Sequence, residues 1–268
     1  MVRFPMDPSS HSETFRERFG GIARLYGQAG LAAFARSHVA IVGIGGVGSW
    51  VAEALARSGI GTLTLMDLDD ICLTNTNRQV HTLENTIGTA KVLASIRRLK
   101  AINPEITAEA INAFYLESTA DQLFSLPCTC IVDAIDSVRQ KAHLLATARE
   151  RGVPVVTVGG AGGRIDPARI RCDDLSRSSG DRLLMLVRKK LRSQYRFPRS
   201  GRGKFHIPCV YSDEPPRFPA PDGSVCTIRD PESPAGINCD AGLGSATHLT
   251  ATMAFFATGL VLDILRGS

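Results

Sequence analysis

Apolar runs that stop at glycine or at an acid mark the strands of this chain. Val39, Ala40, Ile41 and Val42 are consecutive apolar positions, and GIGGVG follows at 43–48. A strand covered by helices on both faces must be apolar on both, so this run predicts a buried parallel strand. The spacing of apolar positions then becomes helical. Val51, Ala52, Leu55 and Ala56 share one face between Ser49 and Ser58, and Gly59 ends the helix. TLTLMD at 62–67 reads as a second strand ending in Asp67. Gly88 opens a further helix to about Ala101, with Val92, Ile96 and Leu99 on one face and Lys91 in its first turn. Positions 106–116 alternate loosely, as a strand and its connection do. CTCIVDAIDS at 128–137 is again an apolar strand ending in acids, Asp133 and Asp136. A helix from Ser137 to about Arg151 and the strand VPVVTVG at 153–159 follow.

The flanks are less regular. Residues 1–12 are rich in Pro and Ser and read as a loose tail. Glu13 to Arg36 predicts a helical arm in two pieces broken at Gly20 and Gly21, packing through Phe15, Phe19, Ile22, Leu25 and Tyr26. After the glycine-packed GGAGGRIDP at 159–167, residues 168–204 form a basic insertion, and 205–240 are too rich in Pro and Gly for regular structure. Ala241 to Leu265 has no charge until Asp263 and is long enough to cross a bilayer. Its Gly242, Gly244, Thr247, His248, Thr250 and Thr252 favour a buried covering helix over a membrane span. Alternating strands and helices predict an α/β fold with a Rossmann-like, doubly wound, mainly parallel sheet. One domain from 13 to 268 carries the amino-terminal arm, with the basic insertion placed before the carboxyl-terminal helix.

Composition narrows the classes without choosing among them. The 268 residues are 44% hydrophobic and 21% charged, an ordinary globular balance. Seven cysteines without a secretory signal fit reduced thiols in a cytoplasmic protein. No C-x-x-C pair occurs, so a zinc site of paired thiolates is not expected. The net charge of +5 becomes informative only because Arg188, Lys189, Lys190, Arg192, Arg196, Arg199, Arg202 and Lys204 are crowded together with Tyr195 and Phe197 among them. Clustered cations with interleaved aromatics are the footprint of nucleic-acid contact, although such a run is more ordinarily a solvated face.

The candidate chemistry sits where strands end. Gly43, Gly45, Gly46 and Gly48 supply a tight strand-to-helix turn that lets backbone approach a phosphate at a helix start. Asp67, about twenty residues further on, stands where such sheets place the acid that accepts from ribose hydroxyls. TNTNRQ at 74–79 is too polar for a core and reads as a functional loop. Lys91 is unfavourable at a helix start unless an anion lies nearby. A nicotinamide dehydrogenase would need the glycine turn and Asp67, but not the donors of Asn75, Arg78 and Lys91. Those donors suit a triphosphate attacked at its α-phosphorus, with Asp136 as a magnesium ligand. The glycines at 159–163 suggest a second close approach, to a ligand or a monovalent cation.

GIGGVG, D-x-D at 67–69, N-x-x-R-Q at 75–79, G-x-x-K at 88–91 and D-x-x-D at 133–136 resemble the ubiquitin-activating-enzyme-like adenylyltransferases over about residues 18–160, with a weaker match from CDAGLGSAT onward. RFGGIARLYG, DAIDSV, GGAGGRIDP and PDGSVC are most similar to the bacterial branch that dehydrates N6-threonylcarbamoyladenosine in tRNA. The resemblance implies a homodimeric, ATP- and Mg²⁺-dependent enzyme whose partner is tRNA rather than DNA. It implies that Gly45, Gly46 and Gly48 line the phosphates, Asp67 holds the ribose, and Asn75, Arg78 and Lys91 bind the triphosphate. Asp136 would carry the metal, and Asp69, Gln79 and Ser137 belong to the same nucleotide site. Some relatives reach the neighbouring subunit's ATP with R-x-x-R; here the second arginine's place is Gly21, which leaves Arg18 or Arg24 for that task. Cys226 or Cys239 could form a transient thioester, against the plainer role of packing or loop cysteine, and His248 reads as structural. A cysteine desulfurase system is a further implied partner. Activation of a ubiquitin-like sulfur carrier is the principal alternative, and the missing zinc-binding cysteines count against it.

Overall fold

The computed structural model describes residues 12–220, 222–227 and 243–267. Its centre is β1 (His38–Val42), buried at every position. The period of two along β1 divides the molecule. Val39 and Ile41 point into a core with helices α2 (Gly48–Arg57), α3 (Lys91–Ile102) and α7 (Thr247–Arg266). Ala40 and Val42 point into the other core, with α4 (Ala120–Phe124), α5 (Val138–Glu150) and α6 (Arg182–Gln194). Burial of a residue such as Ile41, with no exposed surface, is worth about 1.5–3 kcal/mol.

Six strands run parallel: β1, β2 (Thr62–Met66), β3 (Thr107–Ile111), β4 (Cys130–Asp133), β5 (Val155–Val158) and β7 (Pro208–Ser212). The seventh, β6 (Ile170–Asp174), pairs antiparallel with β7 at the edge. Their order is β3-β2-β1-β4-β5-β7-β6. The chain therefore winds outward from β1 in one direction through β2 and β3, then in the other through β4 and β5. The carboxyl ends of β1 and β4 flank the reversal, where open α/β sheets hold their ligands. A small hairpin of β8 (Phe218–Pro219) and β9 (Val225–Cys226) lies apart from this sheet.

Several expectations need correction. The arm α1 (Glu13–Arg36) is helical through Gly20 and Gly21 and breaks instead at Gly27, whose φ of 77° is left-handed. Glycine inside a helix costs about 1 kcal/mol relative to alanine, which the buried Phe15 and Phe19 offset. Leu25, expected to pack, is 74% exposed. The stretch 205–240, expected to be irregular, contains β7, with Cys209, Val210 and Tyr211 buried. The basic stretch 168–204 supplies β6 and α6 and so belongs to the main sheet and its cover. In α7, the one described helix long and apolar enough for a membrane, 56% of the apolar window is buried. Leu249, Met253, Ala257 and Val261 place it in the core as a covering helix.

Candidate active site

A cleft of about 690 Å³ opens at the carboxyl edge of the sheet. Gly43, Gly45, Gly46, Asp67, Asp69, Asn75, Arg78, Gln79, Lys91, Asp136 and Ser137 all line it. Gly48 lies behind the wall and makes the turn feasible: a Cβ there would stand 1.9 Å from the Gly43 carbonyl oxygen. Gly43 itself has φ 89° and presses on Ala134, so the loop after β4 and the glycine turn are in contact. Gly45 has no protein atom within 4 Å of its would-be Cβ, which leaves its backbone open to a ligand. No side chain caps α2; the Ser49 and Trp50 amides of its first turn donate to the Gly45 and Val47 carbonyls, so the backbone of the preceding glycine turn is what is left to meet an anion.

The polar loop is held over this turn from two sides. From α2, the Trp50 indole N–H donates to the Arg78 carbonyl at 3.1 Å. From the start of α7, the Thr247 hydroxyl donates to the Asn77 carbonyl at 2.6 Å, and the Asn77 amide donates to the Ser245 carbonyl at 2.8 Å. Asn75 ends a short 3-10 turn, Leu73–Asn75, and its Oδ1 accepts from the Cys72 backbone N–H at 3.0 Å. The Arg78 guanidinium is anchored by the Thr74 carbonyl and Asn77 Oδ1. Gln79 Oε1 lies 2.9 Å from His81 Nε2. Both amide side chains thus turn their oxygens toward protein donors and retain NH₂ groups as donors.

The acids are arranged differently. Asp67 Oδ2 accepts from the Ile44 N–H at 2.6 Å and Oδ1 from the Asp69 N–H at 2.9 Å. Burial nevertheless pushes its carboxyl above the usual range, with Lys91 and these two amides opposing the shift. Lys91 Nζ is 2.7 Å from Asp69 Oδ2; the lysine side chain is 8% exposed and the aspartate 51%. Asp136 is exposed on the wall of the cleft. Asp133 is no site residue: it is fully buried with Lys141 at 2.9 Å and accepts from the Thr157 hydroxyl and the Ile135 N–H. Burial pushes its carboxyl up, and these three donors pull it back. Among the described residues no cluster of three or more His, Cys, Asp or Glu could hold a metal alone.

Other candidates stand outside the cleft. Arg18 and Arg24 are exposed on α1, and Arg18 donates to the Ile102 carbonyl at 3.0 Å. Cys226 is half-buried in the small hairpin, with its Sγ 3.5 Å from the Phe218 carbonyl oxygen; Cys239 lies outside the described residues. The His248 ring donates to the Ile165 carbonyl at 2.9 Å, a structural bond at the start of α7. Of the 159–163 glycines, by contrast, Gly159, Gly160 and Gly162 do line the cleft; the Gly160 carbonyl accepts from Arg164 and the Gly160 N–H donates to Asp181 at 2.9 Å.

The basic segment divides. Arg188 bonds the Ser178 hydroxyl, and Arg192 donates to the Pro198 carbonyl while lying over Phe205. Phe197 is buried against Phe205 beneath Arg149, so it is no stacking platform. Lys189, Arg196, Arg199, Arg202 and Lys204 are exposed, and Lys190 is half-buried. Sequence reasoning missed Phe114, Tyr115, Leu116, Gln140, Leu183 and Thr250, which complete the walls. They reach the cleft from four different elements, and no local spacing announces that.

Comparison with known proteins agrees with this geometry. The ThiF family pattern matches residues 21–266. The chain is 45% identical over 252 residues to the tRNA threonylcarbamoyladenosine dehydratase of Escherichia coli K12, covering 94% of each chain. It is 44% identical to the enzyme of that name from Haemophilus influenzae, over 94% of this chain and 95% of the relative. The crystal structure of the E. coli dehydratase, TcdA, in complex with ATP superimposes with a TM-score of 0.85 at 41% identity, covering 96% of both chains. With its glycine turn, doubly wound sheet and full-length similarity, the chain belongs to the ThiF family.

Proposed function

We propose that this protein dehydrates N6-threonylcarbamoyladenosine in tRNA to its cyclic form, using ATP to adenylate the threonyl carboxylate. The observation that carries this is the convergence of Asn75, Arg78, Gln79 and Lys91 in one cleft with Asp67, Asp136 and the glycine turn before α2. A site for hydride transfer has no use for so many donors. The near full-length similarity to dehydratases supports the same substrate.

A carboxylate is a poor electrophile because its leaving group would be oxide. In the first step its oxygen attacks the α-phosphorus of ATP, the bond to the β-phosphate oxygen breaks, and pyrophosphate leaves. Arg78 and Lys91 stabilise the charge on the phosphoryl oxygens, a fixed electrostatic contribution that is usually the largest available. Asp67 accepts from the ribose hydroxyls. Asp136 accepts no hydrogen bond from the described protein, and a lone carboxylate suits Mg²⁺ held mainly by phosphates and water, where the ion would offset phosphate charge. In the second step the carbamoyl group of the same molecule attacks the activated carbonyl, loses a proton and expels AMP. The five-membered ring closes within one molecule, so high effective molarity replaces a protein nucleophile.

Exposed Lys189, Arg196, Arg199, Arg202 and Lys204 supply phosphate contacts to tRNA. The working form is a homodimer in which Arg18 or Arg24 reaches the neighbouring site. The test is incubation with ATP, Mg²⁺ and tRNA bearing the threonylcarbamoyl group. Loss of one water from the nucleoside, with AMP and pyrophosphate released, is expected. ATP–pyrophosphate exchange that depends on a small protein ending in Gly-Gly, and not on tRNA, would select sulfur-carrier activation instead.

A further inference from the structure

Behind Gln79, one of the cleft donors, stand two side chains that the chemistry above does not use. Ser95 Oγ on α3 stands 3.2 Å from His81 Nδ1, and His81 Nε2 stands 2.9 Å from Gln79 Oε1. All three residues are buried, at 4%, 2% and 5% exposure, yet Gln79 lines the cleft. The amide oxygen can only accept, so His81 Nε2 must carry the hydrogen. In a neutral imidazole Nδ1 then holds a lone pair, which takes the Ser95 hydroxyl hydrogen. Burial, with Lys91 and Arg98 nearby, keeps the ring neutral by lowering its pKa to about 4.

The consequence falls on Gln79. Its oxygen is committed inward, so only its NH₂ group is left for the cleft, and among the described residues no protein acceptor takes it. The reverse amide orientation would aim an oxygen at a polyanion, which electrostatics disfavours. Sequence spacing gives no hint of this arrangement, because Ser95 and His81 belong to different elements.

We propose that His81 is a positioning residue whose Nε2–H fixes the Gln79 amide so that its NH₂ donates to the phosphates of the bound nucleotide, with Ser95 selecting the tautomer. This rests on the adenylation reading of the cleft. Gln79 touches the nucleotide; His81 and Ser95 act only through it. The bond is one between a neutral donor and a charged acceptor, so its loss should weaken ATP by about tenfold.

The experiment measures binding of ATP and of adenosine to the wild type and to His81→Phe, Ser95→Ala, Gln79→Ala and the double variant His81→Phe/Gln79→Ala. The expected result is about tenfold weaker ATP binding by His81→Phe with adenosine unchanged, and a smaller ATP-specific loss in Ser95→Ala. In the Gln79→Ala background His81→Phe should add nothing, because the two act as one unit. Equal losses for ATP and adenosine, or additive losses in the double variant, overturn the proposal in favour of mere packing. Should His81→Phe not fold, Ser95→Ala decides: an unchanged ATP affinity overturns the relay. A wild type that binds adenosine but gains nothing from the phosphates overturns the adenylation reading itself, whereas ATP binding that His81→Phe leaves intact overturns only the relay.

Discussion

Two lysine–aspartate pairs stand near the carboxyl ends of β2 and β4, and they differ in what surrounds them. Lys91 and Asp69 are 2.7 Å apart with the aspartate 51% exposed; Lys141 and Asp133 are 2.9 Å apart and neither is exposed at all. Lys141 also donates to the Asp133 and Ile135 carbonyls, so its three hydrogens are used within the loop that leads to Asp136. The open pair can release its cation to a phosphate because water can take over the aspartate. The sealed pair cannot, because either charge left alone in the core is costly. Identical residue types near two strand ends thus leave a cation at the cleft in one case and set the shape of a loop in the other.

The largest effect expected from this contrast is on stability. Lys141→Met should lower the free energy of unfolding by about 3–5 kcal/mol, since Asp133 keeps its burial and loses its partner. Denaturant titration checks it, and a loss under about 1 kcal/mol would dissolve the distinction between the pairs. Next comes His81 on the open side, whose folded pKa of about 4 lies below its ordinary 6.5. Between these values the unfolded chain binds a proton that the folded chain refuses, so stability falls as pH drops from 6.5 toward 4. The shift corresponds to about 3 kcal/mol, and denaturation of wild type and His81→Phe across this range should show the wild type's steeper dependence.

Lys91→Ala should slow AMP formation by roughly a hundredfold or more, equivalent to about 2.7 kcal/mol. Its unfolding free energy should stay within about 0.5 kcal/mol, since the Asp69 left behind is solvated. Rate and stability measured on one preparation test whether the open pair is functional. The smallest effect belongs to the exposed basic segment. Lys204→Ala should lower the salt dependence of tRNA binding by about one unit of slope, while leaving ATP binding alone. An unchanged slope would make that face merely solvated.

The nucleotide half of the molecule was legible because its signals are local. Apolar runs ending at Gly43, Asp67 and Asp133 located three strand ends, and parallel strands deliver their carboxyl ends to one edge. The basic half was legible only in part for the same reason. Arg188, Arg192 and Phe197 have the residue types of an RNA surface, but Ser178, Pro198 and Phe205 claim them. Those partners lie on separate segments, or beyond a turn whose direction the pattern does not reveal. β7 escaped notice because Pro208 and the proline-rich flanks mask a short strand that only its neighbours β5 and β6 define.

From sequence alone came the main strands and helices from β1 to β5, the glycine turn and the inventory of donors and acids, since each depends on residues a few positions apart. Tertiary structure alone decided which acid is sealed and which faces the cleft, and which arginines are anchored. It also decided that Ser95 and His81 stand behind Gln79. Burial and hydrogen-bond partnership are relations between distant segments, and they determine whether a charge is available to a ligand.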